Sequence, residues 1–205
     1  MSSSYLVDNK KISTYKSGND IFMEIISEGY SKSFYRNGIL HRDDGPTIEY
    51  SSGTKEWYQN GELHRLDGPA VECSNGDKRW YQNGKKHRLD GPAIEYVNGN
   101  EEWWFNGLLH RFGGPAITDS NSRTWCRNGA FFREDGPAYE SNNGTKRWYK
   151  NGAIHRIDGP AVIYSDGTKS WCLRGISFKN KEDFFLHLSE EEKEQAIFSE
   201  DFLNG

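Results

Sequence analysis

Five histidines recur at matched positions, His41, His64, His87, His110 and His155, and an arginine follows each of them. At Arg42, Arg65, Arg88, Arg133 and Arg156 an aspartate stands two residues further on. Imidazoles and carboxylates repeated in this way could ligate a metal, or pair as a general base with an orienting group. Spacing opposes the metal. Two imidazoles on one zinc must each come within about 2.1 Å of it, whereas copies one period apart on an antiparallel ribbon lie two strands, about 10 Å, from each other. The histidines are therefore read as structural partners of tryptophan. Arg and Asp two apart on a strand share a face, and Asp before Gly-Pro suits a turn that bonds its own backbone; contact with a ligand is the other reading of that pair. Catalysis needs one set of groups made special by its surroundings, and here every reactive-looking residue comes in equivalent copies. Neither a Gly-rich phosphate loop, H-E-x-x-H nor G-x-S-x-G occurs. The expectation is a chain that is not an enzyme, with no catalytic residue, no metal and no cofactor.

The pattern breaks between Trp104 and Arg133, where the spacing drops from 23 to 22, Gly113 stands for the aspartate and Phe132 for the histidine. Extra rings crowd the same stretch. Drift between copies accounts for such a break; the alternative is an aromatic surface that a protein partner covers, made of Trp104, Phe105, Phe112, Phe131, Phe132 and Arg111. A second candidate, for a small ligand such as a nucleotide or a sugar, is an aromatic and arginine pocket of the kind Tyr81 and Arg88 would form.

What positions these residues is a phrase of about 23 residues: Trp, usually Tyr, then Asn-Gly, His-Arg and Asp-Gly-Pro-Ala, with Asn-Gly glycines at Gly38, Gly61, Gly84, Gly107, Gly129 and Gly152 and a degenerate copy at Gly175. Self-similarity at this period marks stacked units. Asn-Gly is the strongest short hairpin signal, because both central residues of a type I′ turn need positive φ. A turn at Asn60-Gly61 sets Gln59 opposite Glu62, Tyr58 opposite Leu63 and Trp57 opposite His64. A second two-residue turn at Asn75-Gly76 sets Val71 opposite Trp80 and Glu72 opposite Arg79, and the same register puts Ile48, Ile94, Tyr139 and Val162 opposite Trp57, Trp103, Trp148 and Trp171. All six prolines fall in the Gly-Pro step, where a bend suits them better than a central strand. The fold class expected is an all-β repeat, an elongated, twisted antiparallel hairpin ribbon about 60 to 70 Å long with a short helical C-terminal cap. Residues 1–34 read as an N-terminal capping hairpin, 35–178 as about six repeats, and 179–205 as an acidic helical cap in which Ser189 and Glu192 form a capping box.

Composition agrees with a thin array. Only 34% of the 205 residues are hydrophobic, 14% are aromatic, and mean hydropathy is -0.90. The formal net charge of -4 gives no electrostatic reason to expect nucleic acid or an anionic membrane as a partner. Three cysteines without a C-x-x-C pair, no apolar leader and no membrane-length run point to a reducing, cytoplasmic setting. Apolar residues on both faces of the ribbon leave a homodimer open as well.

The order Trp-Tyr-x-Asn-Gly-x-x-His followed by a second Gly-containing turn resembles MORN repeats over roughly Tyr35 to Phe178, and the His-Arg-x-Asp-Gly-Pro-Ala form is similar to the variant found in large phages and giant viruses. The repeats depart from the usual MORN unit in carrying arginine, not glycine, after histidine. The resemblance implies a non-catalytic protein-binding scaffold. It further implies a phage accessory protein that binds or inhibits a host defence factor in the host cytoplasm.

Overall fold

The computed structural model describes residues 2–27, 31–199 and 202. The chain is all-β apart from two short helices near its end, and it forms two compact units that divide between Leu108 and Leu109.

The first unit opens with four long antiparallel strands, β1 (Ser2–Val7), β2 (Lys10–Ser17), β3 (Asp20–Ser27) and β4 (Ser31–Arg36), joined in sequence order. Asp8 and Asn9 both take positive φ, 47° and 61°, at the first turn. β4 then does two jobs. Its end pairs with Ile39–Leu40 across Asn37-Gly38, and its start pairs with Ile48–Tyr50, so one strand feeds both rows of hairpins that the repeats continue.

Each repeat has one hairpin in each row. In the first row the Asn-Gly turns are type I′ as the sequence predicts: the six asparagines have φ between 48° and 53°, and Tyr58 pairs with Leu63 and Gln59 with Glu62. The second row differs from expectation by one residue. Val71 pairs with Arg79 and Glu72 with Lys78, because the loop has three residues, not two. Cys73 N donates to Asp77 O, and Gly76 N donates back to Cys73 O. Gly76 alone is left-handed, at 96°, while Asn75 keeps negative φ and uses its side-chain oxygen to accept from Asp77 N at 3.1 Å. This is a type I turn closed by a left-handed glycine, with the asparagine bonded two residues ahead.

That one-residue slip removes every tryptophan from the partner foreseen for it. Ile48 faces Glu56, Ile94 faces Glu102, Tyr139 faces Arg147 and Val162 faces Ser170. Trp57, Trp80, Trp125 and Trp148 sit instead at the corner where the chain passes from one row to the other. There the backbone N–H donates to the carbonyl of the alanine in Gly-Pro-Ala, Trp57 to Ala70, Trp80 to Ala93, Trp125 to Ala138 and Trp148 to Ala161, at 2.8 to 2.9 Å. These alanines are fully buried, and so is Thr47, which holds the same slot in the first repeat with its hydroxyl bonded to the Tyr58 backbone.

In the second unit the array ends on a cap. Helix α1 (Lys181–Leu186) has Asn180 as its N-cap, and α2 (Glu190–Ile197) opens on the capping box of Ser189 and Glu192. Both pack on the last hairpin through Trp171, Leu173, Phe184, Leu188, Ala196 and Phe202. Among the described residues no helix is long and apolar enough to cross a membrane.

Candidate functional site

The group that lies on the indoles of Trp57, Trp80, Trp125 and Trp148 is not histidine but the arginine after it. The Arg88 guanidinium stands 4.0 Å over the Trp80 ring, Nε donates to Asp90 at 3.0 Å, and Nη1 donates to Pro92 O at 3.2 Å and to Glu95 at 2.6 Å. Its other face presses on Gly91, where an added Cβ would come within 2.6 Å of Cζ. Arg42 on Phe34, Arg65 on Trp57, Arg133 on Trp125 and Arg156 on Trp148 repeat the stack at 3.9 to 4.3 Å. The motif thereby acquires a cause: Arg covers the indole, Asp orients Arg, Gly leaves room for it, and the Pro carbonyl accepts from it. The hydrogen bond from Arg holds the carboxyls of Asp44, Asp67, Asp90 and Asp135 below their ordinary range. Their contribution to stability is present above about pH 3.9 and is lost as pH falls through the lowered values.

The histidines join one repeat to the next. Nδ1 of His41 accepts from Asn60 N, and Nδ1 of His155 accepts from Arg174 N, both at 3.1 Å. His64, His87 and His110 reach Asn83, Asn106 and Asn128 in the same way, each 2.8 Å from the amide oxygen and 3.2 to 3.3 Å from the backbone N. Because Nδ1 of His41 accepts, its proton sits on Nε2 and points to Asp43 at 3.0 Å. Burial, then Lys150 and Arg174, push the His155 pKa down. The unfolded chain therefore binds that proton more readily, and the native state should lose stability as pH falls below about 6.5. Thermal melts at pH 5 and 7.5 should show the loss, and His155→Gln, whose amide oxygen can still accept from Arg174, should remove its share.

The residues expected to form one aromatic surface fall into separate settings. Trp104 and Phe105 belong to the first unit, where Trp104 lies under Lys86 at 4.2 Å and donates Nε1–H to Glu102, and Phe105 packs on His87 at 4.9 Å. In the second unit Phe131 turns to the row of tyrosines and stacks on Tyr149 at 4.4 Å. Phe112 and Phe132 are brought together through a residue the sequence did not single out: Arg127 lies 5.0 Å from the first ring and 4.3 Å from the second. Its Nε is buried without a hydrogen-bond partner among the described residues. Arg111 donates to Pro115 O, and Gly113 leaves out the carboxylate that the other repeats supply. Phe132 occupies the histidine slot, bonding Trp125 O through its backbone as His64 bonds Trp57 O, but a phenyl ring offers the next turn no acceptor. Grooves open on both sides of it. One of about 460 Å³ is lined by Arg111, Trp125 and Arg127, and one of about 770 Å³ by Trp148, Lys150 and Arg156.

The Tyr81 and Arg88 pocket does not emerge as a cleft around free groups, since Arg88 is held on Trp80 by Asp90, Pro92 and Glu95. Cys73, Cys126 and Cys172 are free thiols, and burial pushes Cys126 up to about 11, which keeps it unreactive at neutral pH. Compared with family models and with curated proteins, the chain matches none.

Proposed function

We propose that this protein is a non-catalytic protein-binding scaffold of MORN-like hairpin repeats, which engages its partner at the break in the ladder, around Phe112, Arg127 and Phe132. One observation carries the reading. Arg65, Arg88 and Arg133 are each closed in by Asp, Gly, Pro and an indole, whereas Arg127, 3.5 Å from Glu134, lies against two rings, one of them, Phe112, 72% exposed. Exposed aromatic and arginine groups beside grooves are the usual anchors of protein interfaces. The ladder's own histidines and arginines are engaged in holding the repeats together, which supports a scaffold over a catalyst. The viral resemblance puts the partner among host factors, so bacterial lysate is the source to search. Phe112→Ala/Phe132→Ala should weaken capture by about 2 kcal/mol or more, roughly 30-fold, in pull-downs against the wild type. Equal recovery of every captured protein by the two would remove the surface from consideration.

A further inference from the structure

The N-terminal strands extend six to eight residues where those of the repeats have two to five, and the extra length builds a second surface. Register places Phe34, Glu24, Ser13 and Ser4 in one row across β4, β3, β2 and β1. Two residues along, on the same face, Arg36, Phe22 and Tyr15 form the next row. Tyr15 and Phe22 stack with centroids 4.8 Å apart and planes 7° from parallel. The loop from His41 to Asp44 stands over the Phe34 end and closes a cleft of about 650 Å³. The ladder uses Phe34, His41, Arg42 and Asp44 here, and the ring pair and the serine row take no part in those contacts.

Charge selects the ligand. Each cation beside the cleft already faces a carboxylate: Lys32 meets Glu24 at 2.8 Å, Arg42 meets Asp44 at 2.8 Å and Glu49 at 3.3 Å, and Arg36 lies 3.9 Å from Asp43. A phosphate or nucleotide would find no unmatched cation and would meet the exposed Asp43 and Asp44 side chains. Those carboxylates retain lone pairs that can accept from hydroxyls, and Ser4 and Ser13 can donate or accept beside a flat apolar ring pair. A molecule with many hydroxyl donors, one C–H face and no charge fits all three features. We propose that this cleft binds a neutral saccharide, with a pyranose face on Tyr15 and Phe22 and hydroxyls donated to Asp43 and Asp44.

The test is a thermal-shift and NMR titration of the full chain with neutral trisaccharides of glucose, galactose, mannose and N-acetylglucosamine, set against inorganic phosphate and AMP. At least one trisaccharide should raise the melting temperature and perturb Tyr15 resonances, and phosphate and AMP should not. Tyr15→Ala, at a side chain more than half exposed, should bind that sugar at least about tenfold more weakly. Asp43→Asn, at an exposed carboxylate, should weaken it too, while Phe112→Ala/Phe132→Ala should leave it unchanged. The proposal is overturned if no trisaccharide shifts the wild type, if both cleft variants bind as the wild type does, or if phosphate or AMP binds more tightly than every sugar. Because the protein-capture surface is tested by a different variant pair, either reading can fail without the other.

Discussion

Phe184→Ala is expected to cost about 3–5 kcal/mol, the range for emptying a fully buried aromatic site. Phe184 has no exposed surface, and its ring lies 5.3 Å from Trp171 and 5.7 Å from Phe178. The size of the effect follows from what the last repeat lacks. Trp171 is the indole of that repeat, but Phe178 stands where its histidine would be and Lys179 where its arginine would be. The guanidinium that covers Trp57, Trp80, Trp125 and Trp148 is here replaced by Phe184 and by Phe202, which meets Trp171 edge-on at 5.5 Å. The helices thus complete the ladder chemically, and they also shield a strand that would otherwise end the array open to other chains. Urea unfolding followed by tryptophan fluorescence should show the loss, and hydrogen exchange should place it in the unit after Leu108. Phe198→Ala, at a ring 85% exposed, should stay within about 0.5 kcal/mol of the wild type. If the two variants behave alike, the helices are appended to the array and do not hold its last rung.

The first row of hairpins was legible because Asn-Gly at Asn60-Gly61 and its copies admits one economical conformation between two short strands. The second row was not, although it carries the same dipeptide at Asn75-Gly76. Asparagine before glycine can take positive φ itself, or it can stay right-handed and bond the amide two residues on, and Asp77 N supplies that amide. The choice adds one residue to the loop and shifts all pairing beyond it, which is why Val71 meets Arg79 and not Trp80. The sequence reads the histidines as structural partners of tryptophan, and His64 N does bond Trp57 O, although Arg65 and not the imidazole lies on that indole. Their ring partners were not foreseen, since a contact from one repeat to the turn of the next is absent from the register of any single hairpin.

The candidate surface was legible where a residue broke the phrase and obscure where it merely filled a variable slot. Gly113 and Phe132 announce themselves by replacing Asp and His. Arg127 occupies the position held by Gln59 and Gln82, one that tolerates many residues, so its place between Phe112 and Phe132 depends on coordinates. Phe131 counts in the sequence as one of the extra rings of the broken stretch, yet adjacent strand residues point to opposite faces, and Phe131 stacks on Tyr149. The same limit hid the N-terminal cleft. Tyr15 and Phe22 become a stacked pair only once the turn between β2 and β3 fixes which residues face each other.

Trp80→Ala should be the second severe substitution, about 2–3 kcal/mol for a ring that is only partly buried, whereas Trp80→Phe should lose only about 1 kcal/mol because the phenyl of Phe34 already carries Arg42 at 3.9 Å. The reason lies in the arginine. Removing the indole takes away the surface that Arg88 covers and leaves its guanidinium between Gly91 and an opening, still tied to Asp90 and Glu95. Arg88→Ala removes the other half: Glu95 and the Pro92 carbonyl lose their donor, and the Trp80 face meets water. If the two side chains form one structural element, the double variant must be less damaged than the sum of the singles, with a coupling of about 1–2 kcal/mol. Arg88→Lys should recover little of it, since an ammonium cannot lie flat on the indole while reaching Asp90, Pro92 and Glu95 together. Equilibrium unfolding of the four proteins measures the coupling directly. Additive losses would mean that ring and guanidinium are merely adjacent, and the His-Arg-x-Asp-Gly-Pro phrase would then need another physical cause.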